Sequence, residues 1–188
     1  MQLTLIRHGI TQGNRDRLYY GSTDLPLLPE GVAELEALRA TGAYPKAPCF
    51  YTSGMIRTEQ TLAALYGNVP HEVLQGLREL DFGAFEMKTY EQLKDDPDYQ
   101  IWCTGDVEAN VCPGGESGMQ VLSRSLAALE PIIAQNQDAV CITHGGIIGG
   151  VLAHWFPEGN RFSWTPQPGH GFIVTIVDGV PKKADPIL

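Results

Sequence analysis

The sequence predicts an α/β fold, a single domain over residues 1–188 in which helices flank a mostly parallel central sheet. Two observations predict it. Short apolar runs of strand length alternate along the chain with longer segments of helical period, the pattern of strands buried between helices. A length of 188 residues, 43% of them hydrophobic, suits one ordinary core, and no internal repeat or low-complexity stretch points to another architecture.

Residues 3–7 form the first expected strand, followed by Gly9 and a polar loop through Gly21. Residues 29–41 read as a helix with Val32, Leu35 and Leu38 on one face and Gly42 as its stop. Leu28 stands where a capping hydroxyl would serve, which weakens the start by about 1 kcal/mol. Cys49–Thr52 is a second strand, and Ser53 can cap a helix running to Gly67 with Ile56, Leu62 and Leu65 inward. Residues 73–115 are irregular, with a short helical piece at 90–94, and residues 80–115 read as a cap segment. Gly118–Gln135 is the clearest helix. Ser117 and Gln120 make a capping box, Met119, Leu122, Leu126, Leu129 and Ile133 repeat at 3-4 spacing, and Pro131 is expected to kink the last turns. Ala139–Thr143 is a third strand, residues 146–155 a helix and residues 172–177 a last strand, after which Asp178-Gly179 turns the chain back.

A formal charge of −9 argues against nucleic acid or an anionic membrane as partner. The apolar run at the N-terminus is too short to span a bilayer and lacks the basic flank of a signal peptide, so a cytoplasmic location is expected. Cys49, Cys103, Cys112 and Cys141 include no CxxC pair and read as free thiols, although Cys103 and Cys112 are close enough in sequence for a local bridge. His8, His71, His144, His154 and His170 contain no HxxxH or HxD pair, so no metal or other cofactor is expected.

Ligands of such sheets bind at the carboxyl ends of the strands, where the chemistry-bearing residues of this chain also fall. Arg7-His8-Gly9 closes the first strand. The glycine allows a sharp turn whose N–H groups can cradle an anion, Arg7 offers a bidentate fork, Asn14 adds an amide, and His8 has the basicity of a nucleophile near neutral pH. Arg57 lies in the first turn of a helix, where a cation is disfavoured unless an anion joins it. Thr143-His144-Gly145-Gly146 repeats the grammar of the first motif. Glu79, Asp81 and Glu86 supply three carboxylates, one of them suited to a general acid.

The ordered set RHGxTxxN (from Arg7), SxxxRTxxT (from Ser53), LRExxxGxFE (from Leu77), GGES (from Gly114) and THGG (from Thr143) resembles the histidine phosphatase superfamily, in particular its small phosphatase branch. The likeness covers nearly the whole chain. It implies a phosphoglycerate-mutase-like fold and a metal-independent phosphomonoesterase acting on a small phosphorylated metabolite. It makes His8 the phosphorylated nucleophile, Arg7, Arg57 and His144 the phosphate clamp, and Glu79 the general acid and base. Thr11, Asn14, Gly21 and Gly145 are implied as substrate contacts. Nothing in the sequence sets an oligomeric state.

The chain departs from the family pattern at Phe85, where Trp is usual, and at Met87, where Gly is usual and Met is expected to add bulk at the pocket rim. A phosphoglycerate mutase is the main rival within the family. It needs extra basic residues after the general-acid motif, whereas this chain has Lys88 and Lys94 there against Asp95, Asp96, Asp98, Asp106 and Glu108. That acidic run is expected to repel a multiply anionic substrate. The aromatics Tyr19, Tyr20, Phe82, Phe85, Tyr90, Tyr99 and Trp102 would favour a neutral, ring-bearing leaving group if some reach the pocket mouth. A catalytically idle binder of a phosphorylated ligand is the non-enzymatic alternative, and it would be expected to have lost His8 or an Arg.

Overall fold

In the computed structural model, which describes residues 1–187, β1 (Gln2–Arg7) lies in the interior of a six-stranded sheet. Leu3, Thr4, Leu5 and Ile6 are all buried, as a strand covered on both faces requires. The other strands are β3 (Cys49–Thr52), β4 (Glu72–Val73), β6 (Ala139–Thr143), β7 (Gly171–Val177) and β8 (Val180–Ile187), in the order β4-β3-β6-β1-β7-β8. The first four run parallel, and β7 and β8 are antiparallel additions at one side. The alternation of strands and helices thus yields the expected mostly parallel α/β sheet. Asp178 and Gly179 both have positive φ, and the turn they make returns the chain as β8, a strand the apolar-run reading did not mark.

Register carries the functional consequence. Arg7 stands opposite Thr143, and Thr52 opposite Ile142. The carboxyl ends of β1, β3 and β6 therefore finish side by side, and the next residues, His8, Ser53 and His144, emerge at one edge.

Helices α2 (Pro29–Ala40), α3 (Ile56–Tyr66), α6 (Gly118–Gln135) and α7 (Gly145–Trp155) flank the sheet. Leu35 is buried and Val32 and Leu38 half-buried, as expected of α2, and Leu28 makes no side-chain cap. On α6, Leu122, Leu126 and Ile133 pack partly buried against the core as expected. Val121, Ser125, Leu129 and Ile132 are buried, Ser125 donating to the Gly76 carbonyl, whereas Met119 is exposed. The helix runs through Pro131 to Gln135. Ile56, expected inward, is exposed as the first residue of α3.

The segment expected to be irregular carries only short elements, among them the helical piece expected near residues 90–94. β2 (Leu18–Tyr19) pairs antiparallel with β5 (Lys88–Thr89), linking the loop after β1 to the cap. Thr89 caps α4 (Tyr90–Leu93) through a capping box, and Asp96 caps α5 (Pro97–Trp102). Phe85, Leu93, Tyr99 and Cys112 are buried beneath it. All four cysteines are free, so Cys103 and Cys112 form no bridge. Among the described residues, no helix is long and apolar enough to cross a membrane.

Candidate active site

His8 follows β1 and is 3% exposed. Its Nδ1 lies 2.7 Å from the Gly9 carbonyl oxygen, a pure acceptor, so Nδ1 carries the proton and Nε2 keeps its lone pair. Burial, then the nearby Arg57 and Arg7, hold the imidazole well below its ordinary value of 6.5. It is neutral at physiological pH.

Arg57, the second residue of α3, is fully buried. Its Nε–H donates to His144 Nδ1 (3.3 Å), Nη1 to the Thr23 carbonyl (3.0 Å) and Nη2 to the Gly21 carbonyl (2.8 Å). A guanidinium has five N–H groups, so two remain for an anion. The Tyr20 ring lies 5.1 Å beneath it, with the phenol bonded to Thr11. Arg7 donates from Nη1 to the Pro166 carbonyl, and its buried Nε has no partner. Both guanidiniums, with His8, Asn14, Tyr20 and Glu79, line a small pocket of about 160 Å³.

His144 is the N-cap residue of α7, and the helix includes Gly145, one residue earlier than expected. Its ring is 5.2 Å from that of His8. The family likeness implies it for the phosphate clamp, and both its ring nitrogens have protein partners. Nδ1 accepts from Arg57, which fixes the proton on Nε2, and Nε2–H donates to Ser53 Oγ at 2.9 Å. Burial and the neighbouring Arg57 keep this ring, too, well below the usual range.

Ser53 is the residue sequence reasoning misplaced. It does not cap α3, whose N-cap is Met55 without a side-chain bond. The first N–H of the helix goes instead to Asp24 Oδ1, from a distant loop, and Ser53 Oγ turns to His144 and Thr58. The serine was visible in the SxxxRT motif, but its partner 91 residues away was not.

Glu79 sits at the amino end of α7. Gly146 N–H donates to its Oε2 at 2.9 Å, and Leu80 N–H to its Oε1 at 3.0 Å. A Cβ on Gly146 would collide with this carboxylate, so the close approach depends on glycine.

The other two carboxylates of the stretch are engaged elsewhere. Glu86 accepts from the N–H groups of Gly21, Ser22, Thr23 and Phe82 and from the Thr23 hydroxyl. Burial pushes its pKa up, but these bonds outweigh burial and leave the carboxyl below its ordinary value. Asp81 accepts from Ser22 Oγ and Gly83 N–H.

Of the implied contacts, Asn14 lines the pocket and Thr11 is buried as the N-cap of α1 (Gln12–Arg15). Gly21 presents its backbone to Arg57 and Glu86 rather than to the pocket, and Gly145 packs beside Arg7.

A larger cleft of about 490 Å³ adjoins the small pocket, sharing Tyr19, Glu79 and Phe82 with it. Its walls include Tyr99, Trp102, Val107 and Phe162, so four of the seven aromatics singled out from sequence face it. Phe85 is core and Tyr90 is exposed elsewhere. Met87 is absent from both linings, contrary to the expectation of bulk at the rim. Asp95 and Asp96 also lie away from the cleft, and the acid of the cap that does line it is Glu108. Glu108 belongs to the acidic run expected to face the substrate, whereas Arg161 was not singled out from the sequence. Among the described residues, no group of three or more His, Cys, Asp or Glu side chains is placed to hold a metal.

Residues 3–181 match the sequence profile of the histidine phosphatase superfamily (branch 1). The chain is 28% identical over 189 residues to the adenosylcobalamin/alpha-ribazole phosphatase of Salmonella typhimurium, covering 95% of this chain and 92% of that one. It is 32% identical over 171 residues to an acid phosphatase of Mycobacterium tuberculosis, covering 86% and 81%. Among solved structures it resembles a phosphoglycerate mutase from Thermus thermophilus, with 32% identity, a TM-score of 0.76 and 98% of each chain covered. The alpha-ribazole phosphatase of Shigella flexneri shares the fold, with a TM-score of 0.85 at 22% identity, over 96% of this chain and 93% of that one. The chain belongs to the histidine phosphatase superfamily, branch 1.

Proposed function

We propose that this chain is a phosphomonoesterase that hydrolyses a small phosphorylated metabolite through a phosphohistidine on His8. The observation that carries this reading is the fixed tautomer of His8. Its Nδ1–H is held by the Gly9 carbonyl, so an unprotonated Nε2 is presented in a pocket lined by Arg7, Arg57 and Glu79. The phosphatase names of the Salmonella and Mycobacterium relatives support it.

In the first step the Nε2 lone pair attacks phosphorus in line, the N–P bond forms, and the bond to the ester oxygen breaks. Glu79 gives its proton to that departing oxygen. In the second step the Glu79 carboxylate takes a proton from water, whose oxygen attacks phosphorus and releases His8. The spare N–H groups of Arg57 and Arg7 hold the charge on the equatorial oxygens, where most of the stabilisation in phosphoryl transfer arises. His144 is a positioning residue that orders Arg57. Two guanidiniums do the work for which many phosphatases use a metal ion, so the activity is metal-independent. The aromatic cleft beside Glu79 receives the leaving group and favours an uncharged, ring-bearing one. A mutase needs free basic residues at that place, and the single guanidinium in the cleft lining is already paired.

Trapping of the phosphoenzyme tests this. Quenching with a labelled phosphomonoester after exhaustive chelation should give an acid-labile, alkali-stable label, lost in His8→Ala. A label that survives in His8→Ala, or activity that needs Mg²⁺ or Zn²⁺, would overturn the reading.

A further inference from the structure

Arg161 is the one cation among the described residues that line the leaving-group cleft. Its Nη2 lies 2.9 Å from Glu108 Oε2. The pair bridges two segments far apart in sequence, the end of the cap and the loop after α7. Glycines make room for it. A Cβ on Gly118 would strike the Glu108 carboxylate, one on Gly149 would come within 2.6 Å of the Arg161 carbonyl oxygen, and one on Gly150 within 3.2 Å of Arg161 Nη2. The backbone is fixed as well, since Met119 N–H donates to the Glu108 carbonyl. Arg161 Nε is buried with no partner.

An ion pair with side chains 24% and 44% exposed adds little to folding stability. Its effect on what enters the cleft is larger. With Glu108 in place, the cleft lining holds one guanidinium against two carboxylates, Glu79 and Glu108. The guanidinium that would welcome a second anionic group on the substrate is already charge-paired with the protein's own carboxylate.

We propose that the Arg161–Glu108 pair is a specificity gate, in which Glu108 masks Arg161 so that the cleft accepts an uncharged leaving group and rejects one bearing a second negative charge. This rests on the phosphatase reading above. Specificity is a difference between two affinities, and Glu108 is the repulsive element that sets it. On this account the acids Asp95 and Asp96, which do not reach the cleft, have no part in the selection.

Two probes that differ by one charge on the same ring test the gate, phenyl phosphate and 4-carboxyphenyl phosphate. The quantity to measure is the ratio of their kcat/KM values. Glu108→Gln keeps the shape and removes the charge, and should raise the ratio in favour of the carboxylated probe by roughly tenfold at low salt. The gain should shrink as salt is raised toward 1 M, where the screening length falls to about 3 Å. It should vanish in the Glu108→Gln/Arg161→Gln double variant and persist in Glu108→Gln/Arg161→Lys, which restores the charge. A pair that merely tied two segments together would change both probes alike and show no salt dependence in the ratio. An unchanged ratio in Glu108→Gln, or a gain that survives loss of Arg161, overturns the gate while phenyl phosphate turnover leaves the phosphatase reading standing. A wild-type protein inert toward both probes overturns the two together.

Discussion

Ser53 Oγ lies 2.9 Å from His144 Nε2, and this bond, together with that from Arg57 Nε to His144 Nδ1, strings serine, histidine and arginine into one buried chain. Removing the first link leaves a buried N–H without a partner, at a cost of about 1–3 kcal/mol. Ser53→Ala should lose that much stability in urea denaturation and also lose phosphatase rate, because Arg57 is no longer fixed. Full activity in Ser53→Ala would mean that Arg57 is positioned by Thr23 and Gly21 alone.

The two buried histidines set a pH dependence of stability. Both have pKa values well below 6.5 in the folded protein and near 6.5 when unfolded. Below 6.5 the unfolded chain therefore binds more protons than the folded one, and stability falls as pH falls. The slope reaches at most about 1.4 kcal/mol per pH unit for each histidine. Urea midpoints should be flat with respect to these groups above about pH 7 and decline between roughly pH 6.5 and 5, less steeply in His8→Asn. An equally steep decline in His8→Asn would assign it to other groups.

Glu79 can be separated from its neighbours by leaving-group chemistry. A p-nitrophenyl ester needs little protonation, so Glu79→Gln should form the phosphoenzyme at nearly the normal rate and then hydrolyse it slowly. Stopped-flow should record a burst of p-nitrophenol followed by slow turnover. With an alkyl phosphate, phosphorylation itself should slow by about 10²–10⁴-fold. Glu86→Gln should show no burst and should instead lose stability, since its carboxylate holds four N–H groups of two loops. A burst in Glu86→Gln, with none in Glu79→Gln, would transfer both proton roles to Glu86.

Met87 has φ of 60° and is exposed, with its N–H donating to the Tyr19 carbonyl. A left-handed conformation costs a side-chain-bearing residue about 1–2 kcal/mol, partly offset in a glycine by about 0.5–1 kcal/mol of extra unfolded-state freedom. Met87→Gly should raise stability by roughly 0.5–1 kcal/mol, with little change in substrate preference. A fall in the urea midpoint would show that the methionine packs favourably where it lies.

The fold class and most of the candidate site were legible in the sequence because each depends on local pattern. The apolar runs of β1, β3 and β6 and the capping box of α6 are written in adjacent residues. Strand ends carrying Arg7-His8 and His144-Gly145 point to one edge once a parallel sheet is accepted. The expectations that failed concern residues with two local options. Ser53 could cap α3 or reach His144, and the choice turned on Asp24 being at hand to take the helix N–H. Glu79, Asp81 and Glu86 are alike in local pattern, where only the family likeness singles out Glu79, and packing sets Glu79 at the amino end of α7 and the other two against neighbouring loops.

By itself, the sequence determined the parallel core and the convergence of two histidines and two arginines at one sheet edge. Only the tertiary structure decided which ring nitrogen of His8 stays bare, that His144 serves Arg57 and Ser53, and that Arg161 meets Glu108 across the cleft. Hydrogen-bond and charge partners far apart in the chain are chosen by strand register and helix packing, which no local run of residues encodes.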